Sequence, residues 1–226
     1  MKILAVDTST KSCSVAIVDK GSLLSELRLV SKKTHSTHLM EMINTAIRLS
    51  ELTISEIDGF AVTKGPGTFT GLRIGLSTVK GFAAASGKPV VGVSSLDALA
   101  CQFSFSSKLI CSLLDARRKE VYFSRYRFED GKLRKEIQEQ VSPPDKSIDG
   151  INEPCIFVGN GALLYQKIIV NRLGEMAFFA SPCQNTILAS AVANIGLKRF
   201  EINDADNIAK LVPHYIRKPD AQLNLL

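Results

Sequence analysis

The absences in this sequence narrow its function first. No apolar run approaches the roughly 18 residues that a membrane-crossing helix needs, so no membrane association is expected. The opening Lys2-Ile3-Leu4-Ala5-Val6-Asp7 meets an acid too soon for the hydrophobic stretch of a signal peptide, and a cytoplasmic location is the expectation. Five cysteines (Cys13, Cys101, Cys111, Cys155 and Cys183) are odd in number, scattered, and never spaced as Cys-x-x-Cys. That spacing suits neither a disulfide framework nor a zinc site, and buried free thiols are expected. The three histidines, His35, His38 and His214, form neither His-x-x-x-His nor His-Glu-x-x-His. His35 and His38 fall three apart near the start of a predicted helix, without an acid close by to complete a metal set. No nucleophile, base and orienting group stand out as a peptidase would require.

What is present describes an ordinary globular chain with a basic surface. Hydrophobic residues make up 45% and charged residues 22% of the 226 positions, enough for a sizeable core. The net charge of +6 favours an RNA or acidic partner, because phosphate is drawn to a positive surface at long range. The basic residues come in short groups such as Arg117-Arg118-Lys119, with no interleaved aromatics.

Along the chain, Ile3–Asp7, Cys13–Asp19 and Leu23–Val30 read as three strands in a meander, with Lys20-Gly21 as a turn. A helix is predicted from about Thr34 to Ser50, with Leu39, Met42, Ile43, Ala46 and Ile47 as its apolar stripe and Met40 off it. Thr53-Ile54-Ser55-Glu56 has the capping-box pattern. A strand at Gly59–Thr63 leads through Gly65-Pro66-Gly67-Thr68-Phe69-Thr70-Gly71 into a helix from Leu72 to about Ser86, and Val90–Val93 is a buried strand. The pattern loosens around Cys101–Ser107, which places the boundary between residues 1–104 and 105–226. Strands resume at Leu109–Leu114, Val121–Phe128 and Leu133–Val141, with Glu129-Asp130-Gly131-Lys132 as a hairpin signal. Pro143-Pro144 opens a loop, Cys155–Val158 is a strand, and helices are predicted over Ala162–Arg172 and about Thr186–Phe200, the latter with Ile187, Ala191, Asn194, Ile195 and Lys198 at helical spacing. The last helix and tail may fold back onto the first half; Asn224-Leu225-Leu226 is expected to be unordered. Two related α/β halves follow, without a repeat visible in the sequence.

Three stretches could carry chemistry. The glycine-rich loop between a strand and a helix suits an anion at a helix N-terminus, or a tight turn that packs the helix close to a sheet. It is neither a P-loop, since Gly71 is followed by Leu72-Arg73, nor Gly-x-Gly-x-x-Gly, since Gly65, Gly67 and Gly71 lie two and four apart. Asp7, ending the first strand before a hydroxyl-rich turn, stands where actin-like ATPases and sugar kinases hold magnesium and phosphate. Those enzymes place glycine two residues after the acid; here it is Ser9, whose Cβ crowds the approach. The turn Asp115-Ala116-Arg117-Arg118-Lys119-Glu120 could meet an acidic partner or nucleic acid, or be a solvated turn with compensating charges.

Ile3-Leu4-Ala5-Val6-Asp7-Thr8-Ser9-Thr10, the segment from Gly65 to Gly75, Val93-Ser94-Ser95-Leu96, Asp115-Ala116-Arg117 and Pro213-His214-Tyr215-Ile216-Arg217 together resemble the TsaB (YeaZ) family, in order along nearly the whole chain. The resemblance implies an α/β, actin-like ATPase fold of the ribonuclease H-like, sugar kinase, Hsp70 and actin superfamily, with two related lobes. It implies a non-catalytic subunit of the bacterial machinery that puts threonylcarbamoyl on the adenosine beside the anticodon of tRNAs reading codons that begin with A. Such a subunit partners a catalytic homologue, TsaD, and with it the ATPase TsaE; tRNA is held by the assembly, and the subunit pairs with itself when alone. In the catalytic relative a His-x-x-x-His metal motif follows the glycine-rich helix and the next strand. The corresponding stretch here is Val93-Ser94-Ser95-Leu96-Asp97-Ala98, so no catalytic, cofactor-binding or metal-ligating residue is expected. Family members pair through their first two long helices; mapped here, His38, Leu39, Met42, Ile43, Leu72, Gly75, Leu76 and Val79 are the expected interface, with Gly65–Gly71 as the motif loop. A nucleotide-dependent phosphotransferase of the same fold and a self-standing RNA-binding module are the rival readings.

Overall fold

The computed structural model describes residues 1–31 and 34–217, so the expectation for Asn224–Leu226 lies outside the described residues. In chain order the elements are β1 (Lys2–Asp7), β2 (Ser12–Asp19), β3 (Ser22–Val30), α1 (His35–Leu49), β4 (Gly59–Gly65), α2 (Phe69–Ser86), β5 (Val90–Ser94), α3 (Ser95–Ala100), β6 (Leu109–Arg117), β7 (Glu120–Glu129), β8 (Lys132–Ser142), α4 (Pro144–Ser147), β9 (Cys155–Val158), α5 (Asn160–Leu164), α6 (Gln166–Leu173), β10 (Ala177–Phe179) and α7 (Ala189–Glu201). No helix among the described residues is long and apolar enough to cross a membrane.

The chain divides into two compact units, 1–98 with 187–214, and 99–186 with the tail from Tyr215. The division falls at Ala98/Leu99, inside α3, where the sequence pattern placed it at 104/105.

In the first unit the strand order is β3-β2-β1-β4-β5. Strands β1, β2 and β3 pair antiparallel as a meander, while β4 and β5 add on parallel to β1. Alternate residues of the central strands face one layer: Leu4, Val6, Phe60 and Val62 pack with Leu39, Met42 and Ile43 of α1 and Leu76 and Val79 of α2. Helix α7 lies against β1, β2 and β4, close enough that a Cβ on Gly196 would sit 2.9 Å from Ala61 Cβ. Its N-terminus lacks a side-chain cap of its own; Glu26 of β3 instead accepts from the Ser190 backbone N–H and hydroxyl, each at 3.0 Å. Helix α2 stops at Gly87, whose φ of +68 is the left-handed C-terminal conformation that glycine adopts without strain. The end of α7 and the chain beyond it protect the outer edge of β5: Asp206 accepts from Gly92 N–H at 2.7 Å, and Arg199 of α7 donates to Gly92 O at 3.1 Å.

The second unit repeats this plan with the order β10-β9-β6-β7-β8. Strands β6, β7 and β8 form an antiparallel meander, and β9 and β10 add on parallel to β6. Its core joins Leu109, Leu113, Val121, Phe123 and Phe157 to Ala162, Ile169 and Leu173 of the helices. The edge strand β8 carries many charged residues, with Lys132, Arg134 and Glu136 exposed, which discourages pairing with another chain.

Several sequence expectations are corrected. Helix α2 starts at Phe69, three residues before Leu72, because the loop turns helical as soon as Thr68 is passed. The helix expected over Ala162–Arg172 is two, broken at Tyr165. Pro143-Pro144 opens not a loop alone but the short helix α4, where Pro144 at the first helical position has no N–H to leave unpaired. The last helix begins at Ala189 and buries Ala189, Val192, Ala193 and Gly196, small residues that fit close against the sheet, while Asn194, Ile195 and Lys198 face outward or sit half-buried. Strand β10, three residues long, gave no periodic signal.

Candidate functional site

The end of β1 and the glycine-rich loop are one packed unit. Thr68 N–H donates to Ser9 O at 2.7 Å, and the Thr8 hydroxyl donates to Gly71 O at 2.7 Å. The glycines are needed for that approach: a Cβ on Gly67 would lie 2.3 Å from Ser9 O, one on Gly71 2.0 Å from Thr8 O, and one on Gly75 2.4 Å from Thr8 Oγ1. Gly65 has φ +122, joins Pro66 through a cis peptide, and lies against the backbone of His214, whose N–H donates to Lys64 O. Of the two uses the sequence allowed for this loop, the geometry is that of a close turn seating α2 on the sheet. Phe69 and Thr70 begin the exposed side of α2, with the Arg73 guanidinium 3.7 Å above the Phe69 ring.

Asp7 sits beneath this contact, fully buried. Its Oδ1 accepts from Ser9 N–H at 3.0 Å, the Ser9 hydroxyl at 2.6 Å and the Thr63 hydroxyl at 2.7 Å, whereas the buried Oδ2 has no hydrogen-bond partner. Burial raises its carboxyl above the ordinary aspartate value, against the lowering effect of the Ser9 and Thr63 hydrogen bonds. The second unit builds the equivalent corner in the same way. A Cβ on Gly159 would stand 2.2 Å from Leu113 O in the middle of β6, one residue past the stretch that pairs with β9, and Asn160 Oδ1 accepts from Asp115 N–H at 3.0 Å.

The remaining candidates do not converge. His35 Nε2 lies 2.7 Å from Thr10 O, His38 is half-buried on α1, and His214 belongs to the strap along Lys64. Among the described residues no three His, Cys, Asp or Glu side chains cluster to suit a metal ion. Val93, Ser94, Ser95, Leu96 and Ala98 are buried, and Ser94 Oγ accepts from the N–H groups of Leu96 and Asp97 at 3.2 and 3.3 Å, capping α3. Cys13, Cys111 and Cys155 are buried free thiols, Cys101 is half-buried and Cys183 exposed. Burial, reinforced by Asp7, pushes the Cys13 thiol up to about 12, far from the reactive thiolate.

The two long helices require a correction at residue level. Leu39, Met42, Ile43, Leu72, Gly75, Leu76 and Val79, expected at an interface, are buried inside this chain's own first core. The apolar stripe was legible, but the sheet takes it. The outer sides carry other residues: Met40, Glu41, Asn44 and Arg48 on α1, and Arg73, Ser77, Gly81 and Ala84 on α2. Met40, 46% exposed, was the one off-stripe residue that pointed to this second face. A Cβ on Gly81 would meet nothing within 4 Å. These residues were missed because the positions between the stripe were not read as a face of their own.

Two sheets of order 3-2-1-4-5, each a meander extended by parallel strands, with glycines after the fourth strand packed close to the first in both units, define an actin-like ATPase fold. A solved activator of 2-hydroxyisocaproyl-CoA dehydratase from Clostridium difficile, with bound ADPNP, shares that fold over 92% of this chain and 99% of its own (TM-score 0.53, 10% identity). The family described as tRNA N6-adenosine threonylcarbamoyltransferase (TsaD) matches residues 27–225. Relatives along the chain carry the companion name. The tRNA threonylcarbamoyladenosine biosynthesis protein TsaB of Bacillus subtilis is 29% identical over 98% of this chain and 96% of its own. The Haemophilus influenzae protein of that name is 32% identical over 76% and 78%. YeaZ from Pseudomonas aeruginosa superposes with TM-score 0.80 at 26% identity, over 95% of this chain and 99% of its own. The chain belongs to the TsaB (YeaZ) family, within the wider family that also takes in TsaD.

Proposed function

We propose that this chain is a non-catalytic, activating subunit in the synthesis of threonylcarbamoyladenosine beside the anticodon of tRNAs that read codons beginning with A. In the cytoplasm it docks the catalytic homologue TsaD and, with it, the ATPase TsaE. The observation that carries this reading is Val93–Ala98. Where the resemblance places the metal-binding histidines of the catalytic relative, this chain has the buried side chains of Val93, Ser95, Leu96 and Ala98 and a serine helix cap at Ser94. The corner at Asp7 supports it, since the backbone of Gly67–Gly71 rests on Thr8 and Ser9, where an ATPase of this fold would bring phosphate.

Docking belongs to the outer faces of α1 and α2. Ser77, Gly81 and Ala84 are small and recur at helical spacing on an exposed side, which lets another helix come close, and Met40 and Phe69 add apolar surface. The same faces serve a homodimer when the subunit is alone. No cofactor is assigned. The test is co-purification with the catalytic homologue. Ser77→Arg and Gly81→Arg are expected to fold and to lose the complex; full retention by both would move the interface elsewhere. Met42→Asp or Val79→Asp would instead report on the core, since both side chains are buried.

The nucleotide-dependent phosphotransferase reading has in its favour the ADPNP bound to the dehydratase activator of similar fold. Calorimetry with ATP and magnesium separates the two, the subunit alone being expected to release little or no heat.

A further inference from the structure

Among the described residues, three hairpins close with two-residue loops, and they do not follow the same rule. The registers Asp19↔Ser22, Arg117↔Glu120 and Glu129↔Lys132 leave Lys20-Gly21, Arg118-Lys119 and Asp130-Gly131 as the loops. The twist of paired strands asks for positive φ at both loop residues, which glycine, asparagine and aspartate tolerate best. Two loops comply, with glycine second: Lys20 and Gly21 have φ 48 and 86, Asp130 and Gly131 have φ 51 and 71. The third places Arg118 at φ 53 and Lys119 at φ 59, and Arg117 before them is also left-handed at φ 63. Three successive long cations thus occupy backbone positions that disfavour any side chain, and all three are exposed.

The surrounding structure holds that conformation in place. Asp115 Oδ1 accepts from Arg117 N–H at 2.9 Å, and Arg217 donates to Ala116 O and Glu120 Oε2, each at 2.7 Å. The two acids of the turn are therefore engaged, Asp115 by Arg117 and Glu120 by Arg217. Strained backbone that the neighbouring residues over-determine, at an exposed tip, points to a use outside the fold.

We propose that the Arg117–Lys119 turn contacts RNA phosphate, gripping the sugar–phosphate backbone of the tRNA on which the assembly acts. This rests on the proposed role in tRNA modification. Arginine and lysine are the side chains that phosphate takes, and contacts of this kind position an RNA without reading its sequence. The chain's net charge of +6 draws a polyanion toward it.

The test replaces the turn with one that suits the backbone, Arg118→Asn with Lys119→Gly, beside Arg118→Lys as a charge-keeping control. The double variant is expected to fold with a Tm equal to wild type or about 2–4 °C higher, and to bind the catalytic homologue unchanged. Its assembly should bind tRNA about tenfold more weakly near physiological salt, with the slope of log affinity against log salt reduced by about 1 to 2, and the control should keep the wild-type slope. Equal affinity and slope in all three proteins would overturn the proposal. Loss of the protein–protein complex in the double variant would also overturn it, making the turn a contact for an acidic protein. If the wild-type chain forms no complex at all, the subunit reading fails instead. The same proteins titrated alone with tRNA at low salt then decide the turn's role: a reduced slope for the double variant supports it, and equal slopes reject it.

Discussion

Asp7 shows how an acid at the end of a strand is held wholly within its own chain. One carboxylate oxygen takes three hydrogen bonds and the other none, in a site closed by protein on every side. Burial is the dominant effect and raises its proton affinity in the fold. The folded state therefore holds this proton at pH values where the unfolded chain has released it. The stability contributed is complete below the ordinary aspartate value of 3.8 and is lost as pH rises through the raised folded value. Urea unfolding of wild type and Asp7→Asn across that range should show the variant gaining on wild type as pH rises, by at most about 1.4 kcal/mol per pH unit. A difference that is flat with pH would contradict a raised carboxyl.

Two glycines of α2 make an opposed pair at the same scale. Gly71→Ala forces a Cβ to 2.0 Å from Thr8 O, and overpacking against backbone should destabilise the chain by about 2 kcal/mol or more. Gly81→Ala meets nothing and should stabilise the helix by about 1 kcal/mol. Chemical denaturation of both variants checks this; comparable losses would mean that Gly81 is also packed within the chain.

At the scale of the elements, the helical stripes were legible and their partner was not. Period 3.6 in Leu39, Met42, Ile43 and Ala46 identifies a face that leaves water, but it says nothing about which surface receives it. In this chain the receiving surface is the sheet. The interface reading therefore moves from the stripe to its complement, and Ser77→Arg and Gly81→Arg become the informative variants. Ser77→Arg should keep the wild-type Tm and Gly81→Arg should match or slightly exceed it, because both extend from exposed helix positions and the second removes a mid-helix glycine; both should abolish co-elution with the catalytic homologue in size-exclusion chromatography. The glycine-rich loop was legible as a strand–turn–helix passage. Its seating on Thr8 and Ser9 was not, because contacts between residues about sixty positions apart leave no local pattern. Where turn chemistry is strong the reading was accurate: Lys20-Gly21, Asp130-Gly131 and the Thr53–Glu56 capping box stand where the sequence placed them.

For the whole molecule, the same five-strand plan appears twice although the two halves share no visible repeat in sequence. The meander of each half showed through alternation and turn signals, which are local. The return of 187–214 to the first unit is carried by long-range contacts such as Ser14 Oγ to Ile187 O at 3.0 Å, and Lys80 Nζ to Leu211 O at 2.9 Å. In both units glycines that follow the fourth strand bring the backbone close against the first strand or the residues just after it. The chain has the architecture of an actin-like ATPase, and the proposed role places its function in assembly.

That account is tested most directly by threonylcarbamoyl transfer to unmodified tRNA from the threonylcarbamoyl adenylate donor, measured with the purified chain alone, with the catalytic homologue alone, and with TsaE and the two together. The chain alone is predicted to give no modified tRNA, and its addition to the homologue and TsaE to raise the yield well above what they give without it. Transfer by the isolated chain would contradict the account.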